Sequence, residues 1–224
     1  MSFTEDEVEK LLDGKWVLPF DKESEMTILR QLDNIIPSSG VFWDVGAHAG
    51  LYSILCAQLS ANVDVYSFEP SVYTRTNLLQ RNVSDFENVS IVPYPLADTA
   101  GMVTYVDSEE GHTTNSLLST PITPDDPTTF ELDAHTAQTA VNELGVSPPD
   151  VVKIDVEGAE HRVLQGFGDD LMEGVSAVLC ELHHIDGEDT NTIPYLQAHN
   201  FDVTVLADRE TYDNRKQEHI LATK

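Results

Sequence analysis

The sequence predicts an α/β fold: a mostly parallel sheet covered by helices on both faces, with a last strand that returns antiparallel. Three observations carry this. From residue 41 onward, short apolar runs alternate with segments of helical periodicity. Several of those runs are apolar throughout, as strands buried on both faces must be. The final two runs have no helix between them, so the last lacks the crossover that a parallel neighbour needs.

In chain order, residues 5–13 and 22–34 read as helices, with acids early in each and Met26, Leu29, Leu32 and Ile36 at helical spacing. Pro37-Ser38-Ser39-Gly40 breaks the chain. This divides an N-terminal helical extension, 1–37, from the main domain, 38–224. Strands are expected at 41–45, 63–68, 89–92 and, more briefly, 102–106, with helices at 51–59 and 73–82. Residues 107–128 are rich in Ser, Thr, Pro and Asp and carry no obvious element. A helix over 132–145 ends at Gly145. Then come a strand at 150–155, a helix at 159–165, a strand at 175–182, a helix at 193–199, and strands at 201–206 and 219–223.

Composition narrows the function classes. Asp and Glu number 39 against 12 Lys and Arg, a net charge of −27. So acidic a surface is a poor match for nucleic acid or an anionic membrane, because phosphate contacts need cations to release counterions. The acids are dispersed and interrupt apolar runs, so a core exists. Few lysines and many scattered acids look like adaptation to concentrated salt, which screens self-repulsion to within a few ångströms. Cation binding is the competing reading. The two cysteines, Cys56 and Cys180, sit inside apolar runs and read as buried free thiols. Residues 1–10 are acidic with no apolar signal core, and no stretch approaches the roughly 18 apolar residues of a membrane span. A cytoplasmic protein is expected.

The first strand runs into Asp44-Val45-Gly46-Ala47-His48-Ala49-Gly50. In a doubly wound sheet, ligands bind beyond the carboxyl ends of the strands at the switch point, where small residues let backbone amides approach. The spacing is D-x-G-x-x-x-G, which is not the dinucleotide pattern G-x-G-x-x-G, so an NAD-dependent oxidoreductase is disfavoured. S-adenosylmethionine has no pyrophosphate and carries an ammonium and a sulfonium that suit a carboxylate. On this reading Asp44 faces its amino-acid end, with Gly46, His48 and Gly50 forming the loop. The second strand ends at Glu69-Pro70, where an acid can accept from both ribose hydroxyls. After the third strand, Leu96-Ala97-Asp98 offers a carboxylate to the adenine amino group. Each feature alone also fits an ordinary turn or helix-start acid.

The segment Lys153-Ile154-Asp155-Val156-Glu157-Gly158-Ala159-Glu160 is the most distinctive. A buried strand delivers Asp155 to its tip, and Glu157 follows two residues later on the same side of an extended chain. Clustered carboxylates repel, so they imply a cation, a proton or a hydrogen-bonding substrate beside them. Here the sequence resembles the FkbM-type methyltransferases, S-adenosylmethionine-dependent enzymes acting mostly on oxygen. The matching segments are Phe42-Trp43 through Gly50, Phe68-Glu69-Pro70, Leu96-Ala97-Asp98, Lys153 through Glu160 with Val163-Leu164-Gln165-Gly166, and Glu181-Leu182-His183, over about residues 38–206. The resemblance implies a Rossmann-like class I methyltransferase sandwich and O-methylation of a sugar, glycan or other small molecule. His48 stands where Asn is frequent, and Asn200 where Gly is usual.

Glu181 and His183 lie at i, i+2 near the end of a buried strand, so their side chains leave on one face. The neighbouring strand brings Asp155 near. His183 is then the candidate general base, oriented by Asp155 or Glu181; a histidine held for structure alone is the competing reading. His184 points the other way. Asp155, Glu157, Glu181 and His183 also permit a divalent cation, although no ligand spacing demands one. The 107–128 stretch is the natural acceptor lid, with His112, Thr113, Asn115 and Ser116 as polar contacts. A non-catalytic S-adenosylmethionine-binding subunit is the remaining alternative.

Overall fold

The computed structural model describes residues 22–107, 116–117, 128–184, 191–210 and 216–224. The helix expected at 5–13 and the contacts expected of His112, Thr113 and Asn115 lie outside the described residues. Along the chain run α1 (Lys22–Ile35), β1 (Gly40–Val45), α2 (Leu51–Leu59) and β2 (Val63–Phe68). Helix α3 (72–82) is α-helical at Val72–Thr74 and Gln80–Asn82, with a π-helical turn at Arg75–Leu79 between them. Then follow β3 (Val89–Val92), β4 (Gly101–Asp107), β5 (Ser116–Leu117), β6 (Thr128–Ala134), α4 (Ala137–Leu144) and β7 (Val151–Ile154). The chain closes with α5 (Glu160–Gln165), α6 (Gly168–Gly174), β8 (Ala177–His184), α7 (Thr192–Ala198), β9 (Asp202–Glu210) and β10 (Lys216–Thr223).

Seven strands form one sheet in the order β3-β2-β1-β7-β8-β10-β9. Its pairs are parallel except those of β10, which runs antiparallel to both β8 and β9. The expected antiparallel last strand is thus present, inserted between its two predecessors. Strand order reverses between β1 and β7, which places a crevice beyond their carboxyl ends.

The continuous apolar strands serve two cores at once, because successive side chains leave opposite faces. Trp43, Val152 and Val178 enter one face with Leu164, Phe167, Met172 and Leu196 from the helices. Phe42, Val151 and Leu179 enter the other, with Ile28, Leu29 and Leu32 of α1 and Ile54 and Leu55 of α2. Trp43 lies 4.9 Å from the Phe68 ring and donates its indole N–H to the Ser147 carbonyl at 2.9 Å. That bond satisfies the one polar atom of a large apolar side chain.

Several elements differ from the sequence reading: α6 was not expected, and β5 falls in the 107–128 stretch read as carrying no element. Residues 128–134 form a strand, and α4 begins only after Thr136, whose hydroxyl accepts from the Thr139 N–H in a capping box. The alternation Phe130-Glu131-Leu132-Asp133 is a strand pattern that abuts an alanine-rich helix without a break. Strand β4 belongs to a separate antiparallel sheet, β5-β4-β6. That sheet lays Val103, Tyr105 and Leu132 over Val156 and Ala159, roofing the chain that leaves β7.

Candidate active site

The turn after β1 is shaped by steric contact within the protein. Gly46 has φ +76°, and a Cβ there would lie 1.8 Å from the Asp155 carbonyl oxygen. Gly50, at φ +89°, would place a Cβ 2.7 Å from the Leu79 side chain. Both positions therefore exclude side chains because neighbouring protein passes so close. The two departures from the family pattern fall in the same conformational class: His48 has φ 49° and Asn200 φ 66°. Asn and Gly are the residues that enter this region most readily.

Asp44 is fully buried beneath the loop. Its Oδ2 accepts from the Ser53 amide at 3.0 Å and hydroxyl at 2.6 Å. Lys153 Nζ lies 3.3 Å from Oδ1, an ionic contact without hydrogen-bond geometry. The carboxylate thus ties β1 to α2 and β7 from beneath the turn.

Glu69 closes β2. Its Oε2 accepts the His48 N–H at 2.9 Å and its Oε1 the Ser71 N–H at 2.8 Å, which binds the glycine loop to the start of α3. Arg75 donates to the carbonyls of Glu69 and Pro70 at 3.1 and 3.0 Å, fixing the turn. Ala97 is buried, and the absent Cβ of Gly166 lets α5 end against the Ala97 carbonyl. Asp98 receives Arg162 Nε and Nη2, both at 2.9 Å.

The second centre gathers around His183. Its Nδ1–H donates to Glu160 Oε1 at 2.8 Å, and the same oxygen accepts the Gly158 N–H at 2.8 Å. Nε2 lies 3.4 Å from Glu157 Oε2 and 3.7 Å from Glu181 Oε1. Glu181 Oε2 accepts from His219 Nε2 at 2.8 Å, across the β8–β10 register that sets these two residues opposite each other. Asp155, Glu157 and His183 place one ligand atom each within 4.8 Å of one another. His184 leaves the opposite face and meets Glu218 at 2.5 Å.

The orienting partner of His183 is therefore Glu160, where sequence reasoning offered Asp155 or Glu181. Glu160 stands in the quoted segment, but its turn onto β8 follows from the Gly158 bend, not from spacing. His219 and Lys153 were likewise not singled out, since each reaches the site from another strand.

Burial pushes the Asp155 carboxyl above its ordinary range, with the charge of Glu181 next. Burial likewise carries Glu157 to about 8 against the opposing pull of His183. For His183 burial resists charging, but the Glu160 hydrogen bond and the surrounding carboxylates outweigh it and raise the imidazole to about 10. His183 is set behind the carboxyl groups of Asp155 and Glu157, which face outward. Asp155 exposes 32% of its side chain and Glu157 17%, against 5% for His183.

The profile of the methyltransferase FkbM domain matches residues 44–203, which includes both centres. The chain belongs to the FkbM methyltransferase family. Of its relatives, the hexuronic acid methyltransferase AglP of Haloferax volcanii is 28% identical over 165 residues, 73% of this chain. That alignment spans 64% of AglP's own length. The 31-O-demethyl-FK506 methyltransferase FkbM of Streptomyces tacrolimicus is 25% identical, covering 76% of this chain and 75% of that one. In fold, the chain is similar to the precorrin-6y C5,15-methyltransferase of Geobacter metallireducens, with TM-score 0.57, 15% identity and 95% of each chain covered. It is also similar to methyltransferase FkbM of Methylobacillus flagellatus, with TM-score 0.51, 11% identity and coverage of 96% of this chain and 57% of that one. The fold is that of class I methyltransferases. Among the described residues no helix is long and apolar enough to cross a membrane.

Proposed function

We propose that this FkbM-family chain transfers a methyl group from S-adenosylmethionine to a hydroxyl oxygen of a sugar-like or other small polyhydroxylated acceptor. The observation that carries the reading is the carboxylate–imidazole cluster of Asp155, Glu157 and His183, held beside the β1 turn at the switch point of the sheet. Its likeness to relatives named for methylating a hexuronic acid and a demethylated hydroxyl site supports oxygen as the acceptor atom.

The residues suit the cofactor. Glu69 ends the strand beside β1, where an acid accepts from ribose hydroxyls in nucleotide-binding sheets, and the 46–50 turn presents backbone close to the crevice. Asp98 is half-exposed, with Oδ2 left over from the Arg162 bond for a purine amine. Bound S-adenosylmethionine supplies an electrophilic methyl on a sulfonium, which is displaced in line.

The protein's part is alignment and proton removal. The O–CH3 bond forms as the S–CH3 bond breaks, the sulfur keeps the electron pair, and the hydroxyl proton must leave. Asp155 takes it: this carboxyl is the most exposed of the cluster, and its raised affinity for a proton makes it the stronger base. His183, held by Glu160, backs the carboxyl groups, and Glu181, anchored by His219, completes the wall.

Calorimetric titration of S-adenosylmethionine in molar potassium chloride, with NAD as the control, tests the cofactor. Methyl transfer to free uronic acids and simple glycosides tests the acceptor class. Binding of NAD and not S-adenosylmethionine by folded protein would overturn the proposal.

A further inference from the structure

We infer that Asp155, Glu157 and His183 form a binding site for one divalent cation, which holds two adjacent oxygens of the acceptor. The inference rests on the methyl-transfer reading for the identity of those oxygens but not for the site itself.

Three observations carry it. His183 is buried, and with Nδ1 committed to Glu160 its Nε2 has no hydrogen-bond partner among the described residues and is aimed at two carboxylates. A carboxylate holding Nδ1–H is the outer-shell arrangement that fixes the tautomer of a metal-binding imidazole. Second, Nε2 lies 3.4 Å from Glu157 Oε2 and 3.7 Å from Glu181 Oε1. Those gaps are long for direct hydrogen bonds, but donor atoms sharing an ion at about 2.1 Å sit roughly 3 to 4 Å apart. Third, four carboxyl groups converge here, from Asp155, Glu157, Glu160 and Glu181, against one lysine ammonium among the described contacts. Lys153 Nζ stands 3.8 Å from Asp155 Oδ2 and donates to the Gly46 carbonyl at 2.8 Å.

Binding releases the Nε2 proton to solvent, and two carboxylates and one imidazole leave several positions of a six-coordinate ion open. Mixed oxygen and nitrogen donors of this kind suit a Mn2+-like ion. The open positions fit a chelating pair on the acceptor, a hydroxyl beside a second hydroxyl or a carboxylate. A cation there orients the reacting hydroxyl and favours its alkoxide, while the second oxygen of Asp155 remains for the departing proton.

The test uses the full chain, stripped with a chelator and returned to molar potassium chloride so that diffuse attraction to its acidic surface is screened. Mn2+ is titrated in, and free Mn2+ is read by electron paramagnetic resonance. The expected result is one saturable site per chain, weakened at least about ten-fold by Asp155→Asn, Glu157→Gln or Glu160→Gln. Glu218→Gln, outside the cluster, leaves it unchanged. Circular dichroism and S-adenosylmethionine affinity in excess chelator confirm that each variant is folded. Mn2+ that stays free, or binds wild type and Asp155→Asn alike, overturns the inference. So does methyl transfer at undiminished kcat in chelator, a result that leaves the methyltransferase reading standing. A chain that binds one Mn2+ through these residues but never S-adenosylmethionine supports the cation site and overturns that reading instead.

Discussion

Glu160 and His183 meet through a 2.8 Å hydrogen bond that joins the first residue of α5 to the end of β8. The bond settles which imidazole nitrogen faces the carboxylates and holds the ring against β7. Glu160→Gln is expected to lower kcat by about ten-fold or more while leaving the KM for S-adenosylmethionine nearly unchanged. An equal rise in that KM would place Glu160 in cofactor binding instead.

Glu69 tests the other centre. Glu69→Ala removes both the bonds to the 46–50 loop and those offered to the ribose. S-adenosylmethionine should bind at least about ten-fold more weakly, since a hydrogen bond to a charged group contributes about 1.5 to 3 kcal/mol. Asp155→Asn should spare that affinity and abolish turnover. Calorimetry separates the two, and normal binding by Glu69→Ala would move the cofactor elsewhere.

The crossing of the two loops makes Gly46 intolerant of any side chain. Gly46→Ala combines φ +76° with a Cβ set against the Asp155 carbonyl oxygen. A loss of more than about 3 kcal/mol is expected, visible as a lower unfolding midpoint in denaturant. An unchanged midpoint would mean that the strands β1 and β7 do not approach as described.

Outside the site, the Lys216 hydrogen bond chiefly, and that of His184, hold the Glu218 carboxyl below its ordinary value of 4.5. A depressed carboxyl contributes stability above its unfolded value and loses it as pH falls through the folded one. Wild type should therefore melt above Glu218→Gln at pH 7, and the gap should close below about pH 4. A gap that is constant with pH would show that the pair adds nothing through ionisation.

Burial, and then the charge of Asp44 for Cys56 and of Glu160 for Cys180, pushes both thiols above their ordinary value. Native protein should leave a thiol reagent uncoloured, and both thiols should react once it is denatured. Rapid labelling of folded protein would show that α2 or β8 opens.

The sequence alone was enough for the sheet and the family. Strands β1, β7 and β8 are buried on both faces, so their residues had to be apolar without alternation, and that pattern survives in one dimension. The glycine turn and the Lys153–Glu160 segment were legible for the same reason, since each is local chain geometry. The start of α4 was also written locally, in the Thr136 capping box, but a strand pattern ran into it unbroken. Tertiary structure decided the partners. Lys153, Glu160 and His219 acquire their roles from contacts across β1, β8 and β10, and a pairing set by register between distant strands leaves no spacing in the chain. The surroundings of two turn residues were decided there too: Ser53 and Lys153 enclose Asp44, and the Asp155 carbonyl passes over Gly46.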